Sequence, residues 1–461
     1  MITNVQPQSS GIRAFIVIWI TQLLSILASQ MTSFALAIWV YKIAPEEYRV
    51  TAMVLQQTFF FAPFLAISLF AGAMVDRYDR KLMMMMSDLT AGVSTAAILI
   101  LYAFGQLEIW HLYVATVVNG LGSSFQWPAY SAVISLLVPK EQLGRVNGMM
   151  SLLDVGPGVI APFLAGILIG FLGAQSGVMF VMGIDVVTFI IAIIALLLIY
   201  VPQPPRTTTG HEAAGNIWHE ALYGFRYIFS RPSMLGLQLI PFSANLFAST
   251  AYAVLAPMIL SRTDGNQVIY GTLQSVGAIG GILGGLTMSV WGGPKKRVHG
   301  VLTGWMFYGL LGTALIGFKT NFIGWFIGIF IGAFLSPIMG SCNQAIWQSK
   351  VPPDVQGRVF SARRIIAFFF VPFTAIIAGP LSDFVLEPAM KVESSTLSTV
   401  FSNIVGTGPG SGMALIFVFC GLFTALVGMI GYLTPLISNV ESIVPDHDAQ
   451  SANSSTETTA A

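Results

Sequence analysis

Val138-Pro139-Lys140-Glu141-Gln142-Leu143-Gly144-Arg145-Val146 and, 213 residues later, Val351-Pro352-Pro353-Asp354-Val355-Gln356-Gly357-Arg358-Val359 read as two copies of one segment, identical at the valine, proline, glycine, arginine and valine positions. The register does not change elsewhere. Ala165, Gly166 and Leu168 fall on Ala378, Gly379 and Leu381, and Gly72 falls on Gly285. Several of these are loop residues, where shared hydrophobicity alone produces no match, so one gapless offset serving three regions marks an internal duplication.

Around each copy lie apolar runs of roughly 20 residues or more, the length that crosses about 30 Å of hydrocarbon. Twelve spans are expected, at 14–41, 51–75, 82–104, 110–138, 146–170, 178–201, 233–260, 268–293, 300–318, 323–349, 359–384 and 411–437. The fold class is therefore all-α and polytopic: a six-helix half (1–201), a linker (202–232), a second six-helix half (233–437) and a tail (438–461), the parallel-repeat plan of secondary transporters. Composition agrees. Only 9% of the 461 residues are charged, against about 25% in soluble domains, which excludes an ordinary soluble enzyme. A net charge of +1 with no basic stripe excludes a nucleic-acid partner. Cys342 and Cys420 both lie in apolar runs and read as packed side chains rather than a disulfide or metal pair.

Sixteen of the 21 Lys and Arg residues fall in the loops that share a side with both termini, and five (Lys42, Arg49, Arg262, Lys319, Lys391) on the other. The positive-inside rule then places both termini in the cytoplasm, and the expected location is the cell (inner) membrane of a bacterium. The first span is longer than the 7–15 residue core of a signal peptide and reads as uncleaved. In the linker, Pro202, Pro204 and Pro205 suit an extended segment; Trp218, Leu222, Phe225 and Phe229 then recur at helical spacing, as in a helix lying at the membrane interface. The Ser/Thr/Asp/Glu-rich tail beyond Ser438 is expected to be disordered.

Polar side chains recur on every third span: Gln22, Ser25, Ser29 and Thr32; then Thr116, Asn119, Ser123, Gln126 and Tyr130, beside Trp127; then Gln238, Asn245, Ser249 and Tyr252; then Ser336, Asn343 and Trp347, with Gln344 alongside. Steps of three, four or seven residues put each set on one helix face. Interhelical hydrogen bonds worth about 0.6–2 kcal/mol each explain any one stripe. They do not explain the recurrence, which favours a central, substrate-binding cavity between the first, fourth, seventh and tenth helices.

Between the second and third spans stands Gly72-Ala73-Met74-Val75-Asp76-Arg77-Tyr78-Asp79-Arg80-Lys81. This resembles the signature loop of the major facilitator superfamily, a glycine, three residues, Asp-Arg and a closing basic pair, and the resemblance covers about Arg13 to Leu436. It implies a conformational latch made by Gly72, Asp76, Arg77, Arg80 and Lys81. Asp79 departs from the usual glycine, a departure shared with the macrolide and siderophore exporter subgroup; in the second half Ser289 replaces the aspartate. On the fifth span Ala161-Pro162-Phe163-Leu164-Ala165-Gly166 is similar to the glycine-proline motif of drug/proton antiporters, with alanine for two glycines; it is either a bend or packing surface that biases transport, or an ordinary kinked helix. Leu112, Asn119, Gly120 and Gly122 fit another antiporter motif, but Thr116 occupies its arginine position, which leaves the usual arginine route for protons unsupported.

The resemblance implies export of an amphipathic small molecule, a drug, macrolide-like compound or siderophore, with lipid flipping or uniport as the alternative. No Gly-x-x-x-x-Gly-Lys motif is present, so no cofactor is expected and the proton gradient is the energy source. Embedded carboxylates are the natural carriers. Asp154, roughly 13 Å inside its span, ranks first and Asp185 second. Asp88, roughly 9 Å inside, is expected to pair with the preceding basic loop, and Arg363 and Arg364 either to reach the cytoplasmic surface or, for one of them, to counter an acidic group of the cavity. No hydrolytic or metal constellation emerges from the five histidines, so the chain is not read as an enzyme. It is expected to act as a monomer in the bilayer.

Overall fold

A computed structural model describes residues 8–45, 49–204, 207, 215–318, 322–392 and 395–447. Among these residues every regular element is helical. The first six long helices are α1 (Gln8–Ile43), α2 (Arg49–Arg77), α3 (Arg80–Ala103), α4 (Ile109–Leu137), α5 (Leu143–Leu172) and α6 (Ala174–Leu198). A short α7 (Ile217–Phe229) precedes α8 (Pro232–Ala253), α9 (Leu255–Arg262), α10 (Gln267–Trp291), α11 (Arg297–Phe307), α12 (Phe322–Lys350), α13 (Gln356–Phe368), α14 (Val371–Pro380), α15 (Thr396–Val405) and α16 (Ser411–Leu433).

Ten stretches among the described residues are long and apolar enough to cross a membrane. The two remaining expected spans are also helical. The fourth, α4, has the length, but Asn119, Ser123 and Gln126 dilute its hydropathy. The eleventh is interrupted between α13 and α14, where Pro372 removes a backbone donor in the new first turn, and it continues through a π-helical stretch, Leu381–Leu386. The result is a twelve-helix, multi-pass membrane architecture of two six-helix halves. A single residue, Gly173, connects α5 to α6 at φ 81°, a left-handed conformation that glycine adopts without a Cβ clash.

The chain forms two compact units. One comprises residues 1–143, 153–226 and 351–362; the other comprises 144–152, 227–350 and 363–461. The boundaries thus differ from the halves read in the sequence: the start of α5 is counted with the second unit, and the start of α13 with the first. Under the 213-residue offset, residues 144–149 correspond to 357–362, so the two copies of the Gly-Arg-Val stretch are counted with opposite units.

In the first unit, Met31, Leu36, Ala161, Ala165, Val181 and Met182 form an apolar core shared by α1, α5 and α6. In the second, Met258, Ile316, Trp325 and Phe417 belong to the corresponding core. There α11 passes into a π-helical stretch, Tyr308–Ala314. It sets Gly309 against Gly421 and Gly312 against Gly332, approaches that leave no room for a methyl group. The tail is ordered at first. Residues Val440–Ile443 form a helical turn, and Lys350 pairs with Asp446 at 2.9 Å, so the expected disorder does not begin at Ser438; residues 448–461 lie outside the described part.

Candidate functional site

Polar positions on five helices of the first unit converge on a cavity of about 290 Å³. Ser29 and Thr32 of α1, Gln56 of α2, Asp88 and Thr95 of α3, Asn119 and Gln126 of α4, and Asp185 of α6 are in its wall, which holds no Lys, Arg or His among the described residues. The apolar part of the wall, including Ile26, Leu36, Phe60, Ile98, Leu112 and Phe189, makes it a mixed surface suited to an amphipathic ligand.

Two carboxylates organise this cavity. Asp88, 2% exposed, accepts Gln22 Nε2 at 2.7 Å and Gln126 Nε2 at 3.3 Å. Gln126 Nε2 also donates to Gln22 Oε1 at 3.2 Å, closing a ring of two amides and one carboxylate. Asp185, 1% exposed, instead accepts hydroxyls, Ser29 Oγ at 2.9 Å and Thr95 Oγ1 at 3.2 Å. Asp88 therefore turns toward α1 and α4 rather than pairing with the basic loop before it. Depth along a helix follows from counting residues, whereas the face on which an isolated side chain lies depends on the packed neighbours. A signal was present: Ser87, Asp88, Ala91, Ser94 and Thr95 repeat at helical spacing, a polar stripe on α3 that the every-third-span pattern passes over.

Asp154 is exposed on α5 and is not in the cavity wall. The adjoining motif divides: Ala161 and Ala165 are buried in the apolar core, Pro162 is half-buried, and nothing lies within 4 Å of a Cβ placed on Gly166. The helix is continuous through Pro157 and Pro162.

The candidate residues of the tenth span gather in the second unit around Arg363. Its guanidinium donates to Gln238 Oε1 at 3.2 Å and Gln344 Oε1 at 2.9 Å, and lies 4.3 Å from the centre of the Trp347 ring. Gln238 returns a hydrogen bond to the Arg363 carbonyl at 2.9 Å. Arg363 is buried rather than extended to a surface, because two amides and an aromatic face replace its hydration. Asn245 donates to the Ala367 carbonyl at 3.0 Å, Tyr252 packs edge-on against Phe417, and Asn343 Oδ1 is buried without a hydrogen-bond partner among the described residues. Trp127, by contrast, belongs to the first unit, where it packs on Phe360.

The signature loop is assembled wholly within the first unit. Asp76 accepts the backbone N–H groups of Gly357 and Arg358, each at 2.8 Å, and pairs with Arg80 at 3.3 Å. Arg80 also donates to the Ala132 carbonyl at 3.2 Å and to the Pro353 carbonyl. A Cβ on Gly72 would collide with the Gly357 carbonyl. Lys81 caps the end of α6 through the Leu197 and Ile199 carbonyls, both at 2.9 Å, a favourable place for a cation. Arg77 is exposed. Asp79 has its own role: it is the N-cap of α3, accepting from Leu82 N at 3.1 Å. On α7, Trp218, Leu222 and Phe229 stay exposed while Glu220 pairs with Arg358 at 3.3 Å. In the second unit Ser289, at the position of the missing aspartate, donates to its own helix at Gly285.

Among the described residues no group of three His, Cys, Asp or Glu side chains is placed to hold a metal.

A family model described as "Major Facilitator Superfamily" matches residues 18–372. Macrolide efflux protein A of Streptococcus pyogenes is 24% identical over 374 residues, 80% of this chain and 89% of that protein. The multidrug efflux pump Tap of Mycolicibacterium fortuitum is 26% identical over 330 residues, 70% of this chain and 78% of its own. The enterobactin exporter EntS of Escherichia coli is 23% identical, over 62% of this chain and 66% of its own. The fold is similar to that of a bacterial homologue of the iron transporter ferroportin in its outward-facing state (TM-score 0.63, 15% identity, 90% of this chain and 98% of that one). It is also similar to the fucose:proton symporter of E. coli (TM-score 0.65, 12% identity, 91% and 99%).

Proposed function

The chain belongs to the major facilitator superfamily and is a transporter rather than an enzyme; from that premise we propose that it exports an amphipathic small molecule in exchange for protons. The observation that carries the reading is the first-unit cavity, where Asp88 and Asp185 share one mixed polar and apolar wall. Its volume of about 290 Å³ is at the lower end of small-molecule sites, so a larger compound would place only part of itself there. A buried carboxylate binds and releases a proton according to the side that reaches it, which is what an antiporter needs. The named efflux activities of the relatives support export as the direction, and the charge distribution of the loops supports cytoplasmic termini.

In this reading the Asp76 contact with the start of α13 is a latch that must form and break in each cycle. Purified protein in liposomes, given an imposed pH gradient and a panel of macrolide-like drugs and siderophores, tests the function. Accumulation of at least one compound that collapses with the gradient is expected. Transport of lysophospholipid without any dependence on pH would overturn the reading in favour of lipid flipping.

A further inference from the structure

Arg363 has no part in the transport scheme above, yet it gathers side chains from two other helices of the second unit. Gln238 of α8 and Gln344 and Trp347 of α12 offer its guanidinium two amide oxygens and a ring face. These three return hydrogen bonds but no charge, and a cation this deeply buried is costly to hold unless both replace its water.

The same residues leave donors over. Gln344 Oε1 accepts from Arg363 at 2.9 Å, which fixes the amide, because turning it would set Nε2 against the guanidinium. Gln344 Nε2 therefore faces another way, and it is buried without a hydrogen-bond partner among the described residues. Trp347, fully buried, repeats the pattern: its ring meets Arg363, and its Nε1–H has no acceptor among the described residues. Buried N–H groups left in this state call for a ligand that brings acceptors. There is also room nearby. Nothing lies within 4 Å of a Cβ placed on Gly340, which is exposed. Gly340, Asn343, Gln344 and Trp347 stand at i, i+3, i+4 and i+7 and share one face of α12, so the opening lies on the face that carries the orphan donors, one helical turn from Gln344.

We propose that Arg363, Gln344 and Trp347 form a recognition site for a carboxylate carried by the exported compound. The guanidinium supplies the opposite charge, and the Gln344 and Trp347 N–H groups supply hydrogen bonds to the carboxylate oxygens. Asn343 Oδ1, also buried without a hydrogen-bond partner among the described residues, suits a hydroxyl of the same scaffold. The proposal rests on the export reading and names its substrate class, an amphipathic acid. In this conformation the two N–H groups are closed off, and the site opens to its ligand in another phase of the cycle, as alternating access requires.

The test uses fusidic acid and cholic acid, two hydroxylated amphipathic carboxylates, each against its methyl ester, in equilibrium binding to the purified full-length protein. The wild type should bind at least one acid about tenfold or more tightly than its ester, which keeps the scaffold and loses the charge. Gln344→Glu sets an internal carboxylate against the guanidinium where a hydrogen bond already runs, so it should cut that preference to within about twofold without lowering the thermal midpoint. Arg363→Gln should cut the preference equally, and Arg363→Lys, which keeps the charge, should retain most of it. Trp347→Phe, which keeps a ring and removes the N–H, should weaken acid binding about three- to tenfold. A purely structural Arg363 would alter the midpoint in these variants and leave the acid-to-ester ratio alone. Equal binding of acid and ester by the wild type, or survival of the preference in Gln344→Glu, would overturn the proposal; if Arg363→Gln does not fold, Gln344→Glu decides. Binding of neither acid, with another compound exported, would overturn the carboxylate assignment alone, and absence of export for every compound would overturn the export reading beneath it.

Discussion

Asp76 Oδ1 accepts the backbone N–H of Gly357 at 2.8 Å across 281 residues of sequence. The second carboxylate oxygen takes the next N–H, that of Arg358, so the carboxylate occupies the N-terminus of α13, where unsatisfied donors and the helix dipole favour a negative charge. Asp76→Asn keeps the shape but leaves one of the two N–H groups facing an amide NH₂. Hydrogen bonds to a charged group contribute about 1.5–3 kcal/mol, so the latched arrangement should weaken by about that amount. Initial transport rates in liposomes should fall by about tenfold or more at equal protein level, with membrane insertion unchanged. Arg80→Ala should act in the same direction, since Arg80 ties Asp76 to the Ala132 and Pro353 carbonyls. Normal rates in both variants would sink the latch.

Gly72 tests the same contact through shape instead of charge. A methyl group there meets the Gly357 carbonyl, and one on Gly357 meets the Gly72 carbonyl and the Asp76 carboxylate. Backbone cannot yield as a flexible side-chain end can, and overpacking of this kind costs about 1–3 kcal/mol. Gly72→Ala and Gly357→Ala should each slow transport, and together they should cost less than the sum, because either one already separates the two helices. Strict additivity in that double-mutant cycle would show that the two glycines act independently.

The Glu220–Arg358 pair ties α7 to the same helix start. Both side chains are less than 9% exposed, while Arg358 Nε and Nη1 have no hydrogen-bond partner among the described residues. Removing one member of a buried pair leaves a lone charge, a change that costs about 3–5 kcal/mol when water is excluded. The pair borders a cavity of about 390 Å³ that admits water, so the lower end of that range applies. Glu220→Gln should lower the midpoint of thermal unfolding measured in detergent, whereas Glu220→Leu with Arg358→Met should recover most of it. A double variant less stable than the single one would mean that the pair contributes more than charge compensation.

Much of this architecture is legible in the sequence because membrane spans announce themselves through apolar length, and a duplication through loop residues that hydrophobicity does not dictate. The 213-residue relation already aligns Gly144 with Gly357, although only tertiary contacts reveal that the two are counted with opposite units. Helix azimuth is not legible. Asp154, Asp88 and Asp185 are all deep on counting grounds, yet the first is exposed and the other two meet one cavity. Arg363 illustrates the same limit, since a terminal arginine is expected to reach water until Gln238, Gln344 and Trp347 are brought around it.

That contrast between depth and azimuth yields the last prediction. If the proton travels on a cavity acid, Asp154→Asn should leave gradient-driven export within about twofold of the wild type, since exposed substitutions away from a site change stability little. Asp185→Asn should behave differently. With that proton site neutralised, the transporter should still exchange labelled for unlabelled substrate across the membrane, because that exchange needs only the loaded form to reorient. Accumulation driven by the pH gradient should disappear, because Asp88, held as an acceptor by the Gln22 and Gln126 amide N–H groups, carries no proton back. Exchange and accumulation, measured side by side in the same liposomes, separate a coupling defect from a folding defect. Loss of gradient-driven accumulation in Asp154→Asn with Asp185→Asn unaffected would move the proton carrier out of the first-unit cavity and onto α5.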